Sequence, residues 1–415
     1  MHVEPLPALG SPSAVLRALD AATERLGMPP PAALTGDWFG SRAVIAPSVD
    51  VRPVPADEVF DVPADIALGE EGGAVGGGWV GYLSYPDPGA DGGPPRIPEA
   101  AGGRTDCVLR QDADGRWWYE SLASTAVPAW ITDALRRPAP ARPHAVAWRE
   151  PDRGTHRAGV LACLDAIRAG EVYQACVCTR FRGHLDGHPV DLFADVVART
   201  APSRAAYVAG VWGAVASFSP ELFLSRRGDL VASSPIKGTL PLDRPAADLL
   251  ASAKDVAENV MIVDLVRNDL GRVAVTGSVT VPDLLTVRRA PGVWHLVSTV
   301  TARVPATVPM ATLLEATFPP ASVTGTPKER ARTLLRSWEP ARRGIYCGTA
   351  GFASPAVGCE LNVAIRTVEV DADGMAVLGV GGGITADSDP DLEWEECLHK
   401  AAPIVGGQRR IDARS

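Results

Sequence analysis

The stretch FSPELFLSRRGDLVASSPIKGTLPL, residues 218–242, sets two strand-like runs, FLSRR and LVASS, on either side of Gly228-Asp229. A Gly-Asp pair between such runs is a tight-turn signal, so the segment predicts an antiparallel hairpin. Outward from it, VYQACVCTRF (172–181) alternates as a strand, and SRAVIAPSV (41–49) and GGGWVGYLSY (76–85) are strand-like. RAGVLACLDAIRA (157–169) instead places Val160, Leu161, Leu164 and Ile167 at helical spacing, with Gly170 set to stop the helix, and Lys254 to Val266 also has a helical period. Strands and helices mix without a regular βαβ alternation. This predicts an α+β fold with large, mainly antiparallel sheets. RRPAPARPHAVAWREP (136–151) marks a change of texture, which divides the chain into a Pro- and Gly-rich region, 1–150, and a second region, 151–407.

At 415 residues and 46% hydrophobic content the chain can bury a large core. A formal charge of −9 and the lack of a basic run argue against nucleic acid, and no apolar run reaches the ~20 residues that span a bilayer. A cytoplasmic protein with no membrane partner is expected. The seven cysteines are scattered, without a C-x-x-C pair, which argues against a disulfide framework and a zinc site. Basic residues are lopsided: only Lys237, Lys254, Lys328 and Lys400 stand against 36 arginines. A lysine kept where arginine is the rule is a candidate for chemistry that a permanent guanidinium cannot perform, such as nucleophilic attack.

Four segments hold candidate groups. In DSDPDLEWEECLHKAAPIV (387–405) Asp389 caps a helix on which Glu393, Glu396 and Lys400 share a face, just after the glycine run GVGGGIT. That face suits a hard cation such as Mg²⁺, or equally a solvated Glu396–Lys400 ladder. ASAKDVAENVMIVDLVRNDLGRV (251–273) offers Glu258 beside an apolar helix core, with Lys254 as an ordinary helix-start charge. Glu221 and Lys237, on the two arms of the opening hairpin, can reach one pocket as general acid and nucleophile, or form a sheet-face salt bridge. SVTGTPKER (322–330) is a small-residue loop before a helix, where backbone N–H groups and Lys328 can hold an anion.

Taken in order, AGEVYQACVCTRF, SPELFL, PIKGTLP, AENVMIVDLVRNDLGRV, VWHLVSTV, TGTPKERA, RRGIYCGTAGF, NVAIRT and GGGITADSDPDLEWEE resemble the motifs of the chorismate-utilising enzymes. The resemblance implies two large antiparallel sheets packed face to face and flanked by helices, as in anthranilate synthase component I, with residues 151–407 as the chorismate-binding domain. It implies Mg²⁺ held by Glu258 and Glu396 with Glu393 nearby, Glu221 as general acid, and Arg366 and Tyr346 on the enolpyruvyl carboxylate with the backbone around Gly382 and Gly383. His295 and Lys400 would line the ring side, and Ser322, Thr239, Lys328 and Gln174 complete the substrate set.

Two positions select a branch. Gln174 stands where water-using members carry a lysine base, and a neutral amide cannot be that base. Lys237 stands where anthranilate synthases have alanine, and it resembles the branch that aminates chorismate at C4 to 4-amino-4-deoxychorismate, with this lysine thought to add to ring C2. The alternatives are anthranilate synthesis, by amination at C2 with loss of pyruvate, and a chorismate-binding subunit without turnover. No cysteine lies in a G-x-C-x-G-x-Q context, so ammonia is expected from a separate glutamine amidotransferase subunit. Leu242 replaces an expected arginine after PIKGTLP, and the missing L-L-E-S element implies no tryptophan feedback.

Overall fold

A computed structural model describes residues 1–62 and 73–406; residue 407, the expected end of the second region, lies outside these. The opening hairpin forms as expected: Leu222–Arg227 pairs antiparallel with Leu230–Ser234, closing at Arg227↔Leu230. It belongs to a 10-stranded sheet running in the order Ile236–Pro241, Val293–Arg303, Leu230–Ser234, Leu222–Arg227, Gly358–Asn362, Thr349–Ser354, Gly78–Leu83, Ala100–Thr105 and Arg52–Pro53, with Thr280–Ala290 on Val293–Arg303. A 12-stranded sheet holds the remaining strands, among them Ala32–Trp38, Arg204–Gly210, Gly213–Ser219, Thr367–Asp371, Met375–Ile384 and Gln174–Asp186. Every strand pair described is antiparallel.

Alternation along these strands sends one set of side chains to each face. Leu34, Trp38, Val44, Val208 and Val215 of the larger sheet meet Val80, Tyr82 and Phe352 of the smaller one in a shared core, so the sheets pack face to face. The opposite face of the larger sheet packs against helices, with Leu16 and Leu19, Leu192 and Phe193, and Ile404 filling that layer. Strands from 1–150 enter both sheets, so the change of texture near residue 150 does not separate the sheets.

Helix boundaries follow local chemistry. Ser252 caps the Ala253–Gly271 helix by accepting from the Asp255 N–H, and Asp389 caps Pro390–Val405 by accepting from Asp391 and Leu392. The Arg153–Arg168 helix starts four residues before the apolar period because Asp152 caps it, and Gly170 just beyond it has φ +74°. The seven cysteines are free. Among the described residues no helix is long and apolar enough to cross a membrane.

The Pro- and Arg-rich crossing is fixed to the helical layer by one buried carboxylate. Asp191 Oδ1 accepts from Arg17 Nε at 2.7 Å, and Oδ2 accepts from Arg142 Nε at 2.6 Å. Burial pushes the Asp191 carboxyl up, but the hydrogen bonds from Arg142 and Arg17 overcome this and hold it below its ordinary value. Asp191→Asn is therefore expected to lower unfolding stability by about 2–3 kcal/mol at neutral pH in urea denaturation. Its stabilising contribution is present above the unfolded carboxyl pKa and fades as pH falls through the lower folded value, so the gap to the variant should close in acid.

Candidate functional site

The glycine run at the end of the Met375–Ile384 strand is required by crowding. A β carbon on Gly383 would lie 3.1 Å from Gln174 Oε1, 3.4 Å from Glu258 Oε2 and 3.4 Å from Lys237 Nζ. One on Gly382 would lie 2.8 Å from Glu393 Oε2 and 3.7 Å from Glu396 Oε1. Five polar side chains from four other elements thus converge on two glycines, the use of glycine in a strand where other groups must approach the backbone closely.

Each side chain is delivered for a local reason. Gln174 opens the strand paired to the glycines, and its Oε1 is buried without a hydrogen-bond partner. Lys237 lies on Ile236–Pro241, whose register against Val293–Arg303 shifts between Ile236 and Thr239, and Gly238 takes φ +88° there. Such an irregularity re-aims a side chain, here towards Glu258. Lys237 Nζ stands 3.9 Å from Glu258 Oε2 and makes no hydrogen bond to any described residue. Glu393 Oε1 accepts from the Ser388 hydroxyl at 2.7 Å, whereas its buried Oε2 has no partner.

A second group adjoins the first. Glu221 is buried beside Ser322, and its carboxyl is pushed up to about 7 by burial, against the Ser322 hydrogen bond, the charge of Lys237, the Ile236 N–H and the charge of Arg366. Arg366 takes φ +51°, a strained conformation for a non-glycine residue. Burial lowers its pKa while Glu221 counteracts this, and no described residue accepts a hydrogen bond from its guanidinium. His295 Nδ1 lies 2.9 Å from Thr239 Oγ1, and burial, then Arg366, pull its pKa down to about 4, leaving the ring neutral at pH 7. Tyr346 packs its ring on Gly379, leaving no room for a β carbon there, among Cys176, Cys178 and Cys347.

The four lysines separate by how their donors are engaged. Lys328 gives its ammonium to Asp269 Oδ2 at 2.5 Å and to the carbonyls of Thr317 and Pro319, both at 2.9 Å. No donor is left for a substrate anion, so Lys328 is a structural lysine that joins its loop to the Glu258 helix, in contrast to the expectation from its loop. Lys254 departs from expectation in the other direction: its Nζ is 3.2 Å from Glu393 Oε1 and 4.0 Å from Glu258 Oε1, inside the carboxylate group. Lys400 donates to Glu396 Oε1 at 2.6 Å, the helical ladder foreseen, and also to Gly381 O at 2.7 Å.

Three further features escaped the sequence. Arg343 is fully buried and donates to Glu339, to Val323 O and to Cys176 O. Its only sequence signal was spacing from Glu339. Asn259, buried beside Glu258, donates to Leu296 O and accepts from Ser298. Asp20, Glu24 and His188 bring potential metal-ligand atoms within 4.8 Å of one another, but Arg142 already bridges both carboxylates, which makes this an ion-pair cluster. For the glutamates at the glycines, all-oxygen donors and the unpartnered Glu393 Oε2 fit a hard divalent cation.

The sequence profile of the chorismate binding enzyme family matches residues 56–406. Aminodeoxychorismate synthase component 1 of Salmonella typhimurium is 37% identical over 71% of this chain and 63% of its own length. Anthranilate synthase component 1 of Streptomyces coelicolor is 36% identical over 81% of this chain and 74% of its own length. The crystal structure of anthranilate synthase component I from Streptococcus pneumoniae superposes with a TM-score of 0.72 at 25% identity, covering 91% of this chain and 90% of that one. The chain spans about half to two thirds of the length of the curated aminodeoxychorismate synthases it matches.

Two expectations follow from the geometry. Lys328→Met leaves Asp269 buried and unpaired, so thermal and urea unfolding should register a loss of about 3 kcal/mol. For Glu221, the folded carboxyl titrates above the unfolded one, so the folded state binds the extra proton between its ordinary 4.5 and about 7. Stability should therefore fall as pH rises through that window, and Glu221→Gln should flatten the slope in urea titrations run at several pH values.

Proposed function

This chain belongs to the chorismate binding enzymes, and from that membership we propose that it aminates chorismate at C4 with ammonia, giving 4-amino-4-deoxychorismate on the way to 4-aminobenzoate. The observation that carries the reading is Lys237: of the four lysines, it alone makes no hydrogen bond to a described residue, and it lies between Glu258 and the Gln174–Gly383 floor, within the electrostatic reach of Glu221. The curated relatives do not choose between the branches, since aminodeoxychorismate and anthranilate synthases match at 37% and 36% identity.

Arg366, whose guanidinium donates to no described residue, binds a substrate carboxylate, as suits a planar fork of donors. Tyr346 and the backbone around Gly382 and Gly383 complete that end of the pocket, while His295, held by Thr239, lines the ring side as a neutral imidazole. Glu221, protonated below about pH 7, donates its proton to the departing C4 hydroxyl, because hydroxide is a poor leaving group without one. Lys237, as the free amine, forms a bond to C2 as the C4–O bond breaks and water leaves. Ammonia then forms the C4–N bond while the C2–N bond to Lys237 breaks. Gln174 cannot take a proton from water and so does not activate it as a competing nucleophile. Glu258, Glu396 and Glu393 would hold Mg²⁺, whose charge would bind and orient the ring carboxylate. The name "component 1" carried by the relatives supports a second component, and we assign it the role of a glutamine amidotransferase that delivers ammonia.

The test is an incubation of the purified chain with chorismate, Mg²⁺ and ammonium, with products resolved by mass and by anthranilate fluorescence. Aminodeoxychorismate should dominate, and Lys237→Ala should lower its formation by at least ~100-fold, the scale of losing a nucleophile or acid–base group. Anthranilate as main product would overturn the C4 assignment, and an unchanged yield from Lys237→Ala would overturn the covalent role. The rate should fall as pH rises above about 7, when Glu221 loses the proton it donates.

A further inference from the structure

Three of the chain's four lysines stand in this one site, in a protein that otherwise uses arginine for positive charge. They match three glutamates one for one. Lys237 Nζ lies 3.9 Å from Glu258 Oε2, Lys254 Nζ lies 3.2 Å from Glu393 Oε1, and Lys400 Nζ lies 2.6 Å from Glu396 Oε1. Three carboxylates gathered to hold a divalent cation would repel one another strongly without it, and the three ammonium groups supply the missing charge.

The three are not equally fixed. Lys400 is tied down by its second bond, to Gly381 O, and the Lys237 side chain is only 14% exposed. Lys254 is different: its side chain is 43% exposed, and its Nζ reaches from the first turn of its helix to Glu258 one turn further on and to Glu393 of the Pro390–Val405 helix. It therefore has both a place between the carboxylates and an open path away from them. Beside it, Glu393 Oε2 is buried without a partner.

Resting on the Mg²⁺ reading above, we propose that Lys254 is a place-holding cation, which neutralises Glu258 and Glu393 in the metal-free protein and is displaced into solvent when the divalent ion enters. Lysine suits this role better than arginine. Its ammonium is a strongly hydrated point charge on a flexible stem, whereas a guanidinium would lock onto a carboxylate through two parallel bonds and resist exchange. The exchange of +1 for +2 between the same carboxylates leaves the site with surplus positive charge. A substrate anion relieves that surplus, so metal and substrate reinforce each other's binding.

The scarcity of lysine makes the test direct. The whole chain is treated with an amine-acylating reagent, with and without saturating Mg²⁺ and without chorismate, and acylation at each lysine is measured by mass spectrometry while calorimetry on the same sample reports Mg²⁺ binding. Acylation of Lys254 should rise about fivefold on metal binding, whereas Lys328, enclosed by its three hydrogen bonds, should stay constant as an internal reference. Lys254→Met should bind Mg²⁺ about tenfold more tightly and unfold at lower temperature when metal-free. Calorimetric binding of Mg²⁺ with Lys254 acylation unchanged or lowered overturns the displacement and leaves the metal reading standing. Absence of Mg²⁺ binding overturns both, and a Lys254→Met variant that binds no more tightly overturns the place-holding role.

Discussion

One buried guanidinium holds the walls of the site together. Arg343 donates to Glu339 Oε1 and Oε2 at 2.7 and 2.8 Å, and to the carbonyls of Val323 and Cys176 at 2.7 Å each. Glu339 Oε1 in turn accepts from the Cys178 N–H, and the Tyr85 ring lies 4.4 Å below the guanidinium. Cys176 follows Gln174 by two residues, Val323 adjoins Ser322, and Tyr346 follows Arg343 by three. The strand that carries Gln174, the loop that supports Glu221 and the turn that presents Tyr346 are thus bonded to one ion pair. Burying such a pair is costly, and the two carbonyls that take further donors are what make it tenable. Its return is positional, because three loops that would otherwise drift share one reference point.

The fold was legible where periodicity and turn chemistry agreed. The Gly228-Asp229 hairpin, the 157–169 helix and the capped helix after Asp389 all appear, because each depends on residues adjacent in sequence. Pairings between distant strands carry no comparable local signal. The interleaving of the first 150 residues into both sheets came from the whole-chain topology, and nothing local in the sequence marks the Arg343–Glu339 pair as buried. Family motifs named the site residues but not their engagement. Lys328 lies in as strong a motif as Lys237, yet its three donors are taken up by Asp269 and two carbonyls. Lys254 was passed over because a lysine at the start of a helix, next to Asp255, reads as an ordinary helix-start charge. Only its proximity to Glu393, 139 positions away, gives it a place in the site.

Hydrogen-bond engagement is therefore the physical property that sorts these lysines, and it also bears on the reaction. An ammonium held by three acceptors is fixed in place, whereas the Lys237 nitrogen, 3.9 Å from Glu258 Oε2 and without a hydrogen bond to any described residue, is free to reach a substrate carbon. The same distinction applies to the guanidinium groups. Arg343 has its donors taken and serves structure, while Arg366 is held with φ +51° and keeps its fork open. Backbone strain of this kind persists when the surroundings over-determine it, and here the Arg366 carbonyl is bonded to the Phe218 N–H in the strand leading to Glu221.

That bond couples Glu221 to Arg366. Phe218 lies three residues before Glu221, and the Glu221 N–H is held by the Ser219 hydroxyl, so a short segment sets the distance between the carboxyl and the guanidinium. Arg366 favours the ionised form of Glu221, yet burial wins and leaves the carboxyl near 7. A substrate carboxylate bound at Arg366 would neutralise the charge that opposes protonation. Glu221 would then hold its proton more firmly with substrate bound than without, which is the state that its proposed role as general acid requires.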